Sequence, residues 1–109
     1  MTIKVERDYE LVVLEISGRL DITTTPNLEK IINKLTEDTK EIVFDMSGIE
    51  YISTEGIKAL LGAYRRMNLN HGMMRIEKYN DAVCEVLEKN GLLKMISEEG
   101  WLWKIKFYM

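Results

Sequence analysis

The chain of 109 residues contains one cysteine, one histidine and one proline. A lone thiol, Cys84, cannot close a disulfide within the chain, and His71 has no companions at metal-ligand spacing, so no staple, no metal and no cofactor are expected. Long apolar runs are also missing. None approaches the roughly 20 residues of a membrane span, and the opening MTIKVERDYE lacks the apolar stretch of a secretory leader, so a cytoplasmic protein without membrane insertion is expected. Positive charge is not in surplus either: the net charge of −3 argues against direct binding to nucleic acid or to an anionic bilayer. Arg65 and Arg66, with Lys58 two turns earlier, can form the wet face of a helix or a local basic patch. There is no G-x-x-x-x-G-K-[ST] loop and no acid/base or metal cluster, which disfavours a nucleotide-binding or hydrolysing protein; an enzyme is not expected. Repeats, linkers and low-complexity tracts are absent as well.

What remains is an ordinary globular composition, 46% apolar and 30% charged, on a chain long enough to bury one core; one domain over residues 1–109 is expected. Ile3 and Val5 alternate with polar neighbours, Asp8 and Tyr9 interrupt, and LVVLEIS follows, which predicts two strands joined by a tight turn. Gly18 should end the second. Thr25 is placed to cap a helix with Pro26 in its first turn, and Leu28, Ile31, Ile32 and Leu35 form its buried stripe. EIVFDM reads as a central strand covered on both faces. Beyond a loop, Ile57, Leu60, Leu61 and Tyr64 give a second amphipathic helix, GMMRIEKY another strand, and NDAVCEVLEKNG a third helix. Asn80 should cap that helix, with Val83, Val86 and Leu87 inward and Gly91 as its left-handed stop. In WLWKIKFYM, Trp101, Trp103, Ile105 and Phe107 alternate, predicting a last strand that covers the domain's own core or pairs with a second subunit.

This order predicts an α/β fold: a mixed, largely parallel sheet of about five strands flanked by three to four helices, with an extra C-terminal strand over about 101–108. GRLDITT, SGIEYISTEG and KYND should then leave the sheet at one edge, the side where open α/β sheets bind ligands and partners. Ser53 can cap the second helix, leaving Thr54 and Glu55 in a first turn whose unpaired N–H groups favour negative charge. A plain cap would not choose Gly56, which costs about 1 kcal/mol of helix propensity relative to alanine; a missing side chain lets another backbone come close. The segment therefore suits a docking point or a phosphorylation site, although capping alone also explains serine, threonine and acidic residues at a helix start.

EIVFDMSGIEYISTEGIKALLGAYRRM resembles the central signature of STAS domains, the family of bacterial anti-sigma factor antagonists and of the cytoplasmic domains of sulfate transporters. VLEISGRLDITTTPNLEKII looks like the family's earlier Gly-x-Leu-Asp-x-x-Thr segment, and AVCEVLEKNGLLKMI like its final helix; the resemblance covers about residues 3–96 and leaves out the aromatic tail. It implies a module that binds an anti-sigma factor, commonly a kinase, and so regulates sigma-factor-dependent transcription, with a serine at the helix start switched by phosphorylation. Anchoring on Gly56 puts the usual phosphoacceptor position at Glu55, the preceding hydroxyl at Thr54 and the frequent aspartate at Ser53. Glu55 cannot accept phosphate in that way and partly imitates the phosphorylated state. Either Thr54 or Ser53 has become the acceptor, or the partner is bound without that switch. The second is favoured, because phosphate on Thr54 would crowd the Glu55 carboxylate. The partner-binding set is Asp21, Thr24, Ser53, Thr54, Glu55, Gly56 and Lys58, with no catalytic residue. An alternative is a STAS subunit of a membrane transport or lipid-transport complex, and a homodimer through the C-terminal strand is compatible with either.

Asp21 and Thr24 can equally be turn or cap residues. Asp45 and Ser47 are expected to fix loop hydrogen bonds, at least one of Tyr51 and Ile52 to be core, Cys84 to act as a small buried hydrophobe and His71 to lie at the surface.

Overall fold

A computed structural model describes residues 1–96. Two extended segments open the chain, β1 (Thr2–Asp8) and β2 (Leu11–Leu20), paired antiparallel across a two-residue turn in which Tyr9 takes a positive φ of 56°. They are followed by α1 (Thr25–Leu35), β3 (Glu41–Ile52), α2 (Thr54–Leu69), β4 (Met73–Glu77) and α3 (Asp81–Lys89), and then by a helical turn over 92–96. The sheet order is β1-β2-β3-β4, with β2, β3 and β4 parallel. Four strands are thus present among the described residues where about five were expected; the strand expected over 101–108 lies outside them.

Alternation decides which side of the sheet is buried. Val12 and Leu14 of β2 stand in register with Ile42 and Phe44 of β3, and these with Met74 and Ile76 of β4; all are in one core with Ile16 of β2, Leu28 and Ile32 of α1, Ile57, Leu60 and Met67 of α2, and Val83 and Leu87 of α3. β3 is the interior strand that the run EIVFDM predicted, buried at every position from Ile42 to Met46.

β3 does not stop at Met46. It continues as a strand to Ile52, through what the sequence suggested was a loop, and its register with β2 shifts twice, each time with one extra residue on β3. Asp45 Oδ1 accepts the Ser47 N–H at 3.0 Å inside the first bulge, so the aspartate fixes a strand irregularity and not a loop. Gly48 lies beside Ser17, where a Cβ would fall 2.5 Å from the Ser17 Cβ, so only glycine lets the two strands approach there. β2 likewise runs past Gly18, which takes a φ of +98°, as far as Leu20.

This extension corrects the picture of a shared edge. Leu20 and Ile52 end side by side, but β4 ends at Glu77 opposite Asp45, seven residues short of the end of β3 and roughly 20 Å lower at 3.3 Å per residue. The segment KYND therefore runs alongside β3, and Asn80 holds it there: its Nδ2 donates to Ile49 O at 3.1 Å while its Oδ1 accepts the Val83 N–H at 2.8 Å as the cap of α3. Gly91, with φ +70°, follows the last turn of that helix as anticipated.

Hydrogen bonds to the charged carboxylate, first from the Ser47 backbone N–H and then from its side chain, with Lys78 Nζ 3.5 Å from Oδ2, hold Asp45 below the usual carboxylate range against the opposing effect of burial. A folded-state pKa below the unfolded one contributes stability that is present above about pH 4 and is lost as pH falls through the folded value. Chemical denaturation of the native protein and of Asp45→Asn between pH 6 and 2 is expected to show a wild-type advantage that shrinks over the acid limb.

Candidate functional site

The rim where β2 and β3 end together carries the helix start that the sequence singled out. Ser53 N–H donates to Leu20 O at 2.9 Å, tying the end of one strand to that of the other, and the chain then turns into α2. Ser53 is the N-cap in extended geometry, and its Oγ accepts the Gly56 N–H at 3.3 Å. Ser53→Ala should remove about 1 kcal/mol of stability, read as a shift in the denaturation midpoint with an unchanged m-value.

Gly56 is buried, and the close approach it permits is internal. A Cβ there would lie 2.9 Å from Ile52 Cγ1 and Leu20 Cγ and 3.0 Å from Leu20 O, so the glycine lets α2 start directly against the ends of β2 and β3. The backbone expected to come close belongs to Leu20 of the same chain and leaves little surface at Gly56 itself. Around it, Thr54 and Lys58 are exposed one turn apart on the same helical face, and Ser53 and Glu55 are half-buried. Lys58 also borders a shallow groove between α1 and α2, with Glu29, Asn33 and Arg66.

The loop after β2 is a compact turn built on Asp21. Its Oδ1 accepts from Thr23 Oγ1 at 2.7 Å, Thr23 N at 3.0 Å and Thr24 N at 3.2 Å, and its carbonyl accepts from Thr25 N at 2.9 Å. The bonds to its carboxylate, the Thr23 hydroxyl foremost, hold Asp21 below its ordinary range against the opposing effect of desolvation. Thr24 Oγ1 lies 2.8 Å from Arg19 O and accepts the Asp21 N–H at 2.9 Å. Asp21 and Thr24 are therefore both engaged within the turn. Thr24, not Thr25, is the N-cap residue of α1, and its hydroxyl is turned back into the loop and does not cap the helix. Thr25 is buried in the first turn, its Oγ1 without a hydrogen-bond partner among the described residues.

Three rim residues lie outside the partner-binding set expected from the sequence. The Arg19 guanidinium lies over the Tyr51 ring, 4.4 Å from its centroid, with Nε 3.8 Å from Asp21 Oδ2. Tyr51 is 44% exposed while Ile52 is core, and Ile22 at the tip of the Asp21 turn is 68% exposed. Arg19 and Tyr51 meet because the second bulge pairs them across β2 and β3, a register that no local pattern announces. Aliphatic, aromatic and guanidinium side chains are thus exposed where β2 and β3 end, residue types that recur in protein interfaces.

Elsewhere, His71 is exposed with φ 57° in the turn before β4. Cys84 is half-buried where a buried residue was expected, and its Sγ lies 3.6 Å from Glu88 Oε1; partial burial first, then this carboxylate, pushes the thiol pKa up. No helix among the described residues is long and apolar enough to cross a membrane.

Among the described residues, a mixed four-stranded sheet with β1 antiparallel to three parallel strands, three helices that share its core and a capped helix start at the rim of its two longest strands define the fold class. The chain belongs to the STAS domain family, whose family model matches residues 2–107, farther than the 3–96 that the signature covered and into the aromatic tail. It is 25% identical over 88 residues to an anti-sigma-B factor antagonist of Staphylococcus aureus, covering 80% of this chain and 79% of that protein. Among solved structures, it is similar to the anti-sigma factor antagonist SpoIIAA in its unphosphorylated form, with TM-score 0.77 at 20% identity over 85% and 84% of the two chains. An anti-sigma factor antagonist from Mycobacterium paratuberculosis has TM-score 0.75 at 27% identity over 87% and 81%.

Proposed function

We propose that this chain is a non-enzymatic, antagonist-like interaction module that binds an anti-sigma factor of the kinase type through the rim formed by the Asp21 turn, the end of β3 and the start of α2. One observation carries the reading: the helix start is fixed from inside by the Ser53 cap and by Gly56 against Leu20, while Thr54 and Lys58 remain exposed on α2 and Tyr51 and Ile22 are exposed at the ends of β3 and β2. A surface held rigid from beneath and open above loses little entropy on docking. The anti-sigma factor antagonists to which the chain is similar support the same role.

Glu55 stands at the position where the family resemblance puts the phosphoacceptor, so the ordinary phosphorylation switch is lost. Of the two hydroxyls nearby, Ser53 is occupied as the cap, which makes exposed Thr54 the better acceptor if one is used. Incubation with the cognate kinase and ATP, followed by mass spectrometry, is expected to leave the wild-type chain unmodified and to place one phosphate on Glu55→Ser at position 55. Phosphate on wild-type Thr54 would reject the lost switch while leaving the docking surface in place. Affinity purification is expected to recover a sigma regulator; recovery of a permease or ATPase subunit would instead indicate a transport complex.

A further inference from the structure

β1 stands at one end of the sheet, and among the described residues no strand pairs with its outer edge. It runs seven residues in unbroken register with β2, without bulge or proline, and six of those residues are exposed. An open row of backbone N–H and C=O groups is a template for another strand, and proteins commonly blunt such an edge with a proline, a bulge or a very short strand. β1 has none of these. It carries charge instead, and the order of the charges decides what can pair with it.

Two antiparallel strands can oppose only residues whose backbone groups point the same way, so a self-paired strand has its two-fold axis at a residue. Three such registers keep most of β1 in contact. Centring on Lys4 sets lysine against lysine, and centring on Glu6 sets glutamate against glutamate. Centring on Val5 sets Lys4 of each copy against Glu6 of the other, Thr2 against Asp8 and Ile3 against Arg7, with no like charges opposed. It also brings together the two Val5 side chains, each 45% exposed although Val5 stands in register with fully buried Leu14 on the core side of the sheet. Lys4 and Glu6 share the opposite face, where they form an exposed pair at 3.4 Å within the strand, so each is free to exchange its partner for one across the interface.

We propose that a second copy of this chain is the occupant of this edge: two β1 strands pair antiparallel about Val5 and join two four-stranded sheets into one of eight. This dimer does not depend on the anti-sigma reading, and its failure would leave that reading intact.

Sedimentation velocity of the full chain over a concentration series tests it, with circular dichroism to confirm that each variant is folded. The wild type is expected to self-associate reversibly. Lys4→Glu or Glu6→Lys alone should weaken association about tenfold, since each turns two opposite-charge cross-strand pairs into like-charge ones. The double exchange Lys4→Glu with Glu6→Lys should restore it, and an equimolar mixture of the two single variants should associate more tightly than either alone. A wild-type chain that stays monomeric at about 1 mM overturns the proposal. So does a dimer indifferent to all three charge exchanges, which is what pairing through residues 101–108 would give.

Discussion

Gly56→Val is expected to destabilise the fold by about 3 kcal/mol, an effect large enough to lower the thermal midpoint by more than 10 °C in a domain of this size. Two terms oppose each other. Replacing a helical glycine relieves up to about 1 kcal/mol of propensity cost, although β-branching returns part of it. Against this, the first added carbon already falls 2.9 Å from Leu20 Cγ and Ile52 Cγ1 and 3.0 Å from Leu20 O. The two side chains can rotate, but both belong to the buried core, and the carbonyl accepts the Ser53 N–H and cannot retreat without releasing it. Valine adds two further methyls to the same space, so the steric term wins. Urea denaturation of the variant measures the loss; stability within 1 kcal/mol of wild type would show that α2 can start elsewhere.

The second large effect is on binding. Thr54→Arg should weaken the complex with the anti-sigma factor about a hundredfold, on the order of 2–3 kcal/mol, with folding unchanged. The position is exposed, its side chain supports no cap, and arginine is tolerated in a first helical turn despite an unfavourable dipole interaction of less than about 1 kcal/mol. A bulky cation placed over the helix start would hold a docked partner away from the first turn of α2. Titration calorimetry of wild type, Thr54→Arg and the remote exposed variant Leu69→Ala separates this from a general surface effect, because Leu69 lies at the other end of α2 and is 81% exposed.

Much of this arrangement is legible in the amino-acid sequence because it rests on local rules. Alternation and helical spacing find the described elements; Ser53 and Asn80 announce themselves as caps, and Gly91 as a stop. The misreadings arise where long-range pairing overrides local pattern. The run SGIEY looks like a loop, yet it continues β3 because Gly48 can lie against Ser17 and Asp45 can satisfy the Ser47 N–H in the bulge. Three consecutive threonines leave the cap of α1 ambiguous by one position, and Thr24 takes it because its hydroxyl closes the Asp21 turn. Gly56 was legible as a point of close approach, but nothing in its neighbours says that the approaching backbone is that of Leu20. Arg19 over Tyr51 was invisible for the same reason.

The rim account is tested most directly by hydrogen exchange at the first amides of α2, in the free chain and in its complex with the anti-sigma factor. The Thr54 and Glu55 N–H groups precede the first intrahelical bonds, so they exchange fast in the free protein. The account predicts that both slow markedly in the complex, together with amides of the Asp21 turn; unchanged exchange there, with protection confined to other surfaces of the molecule, would contradict it.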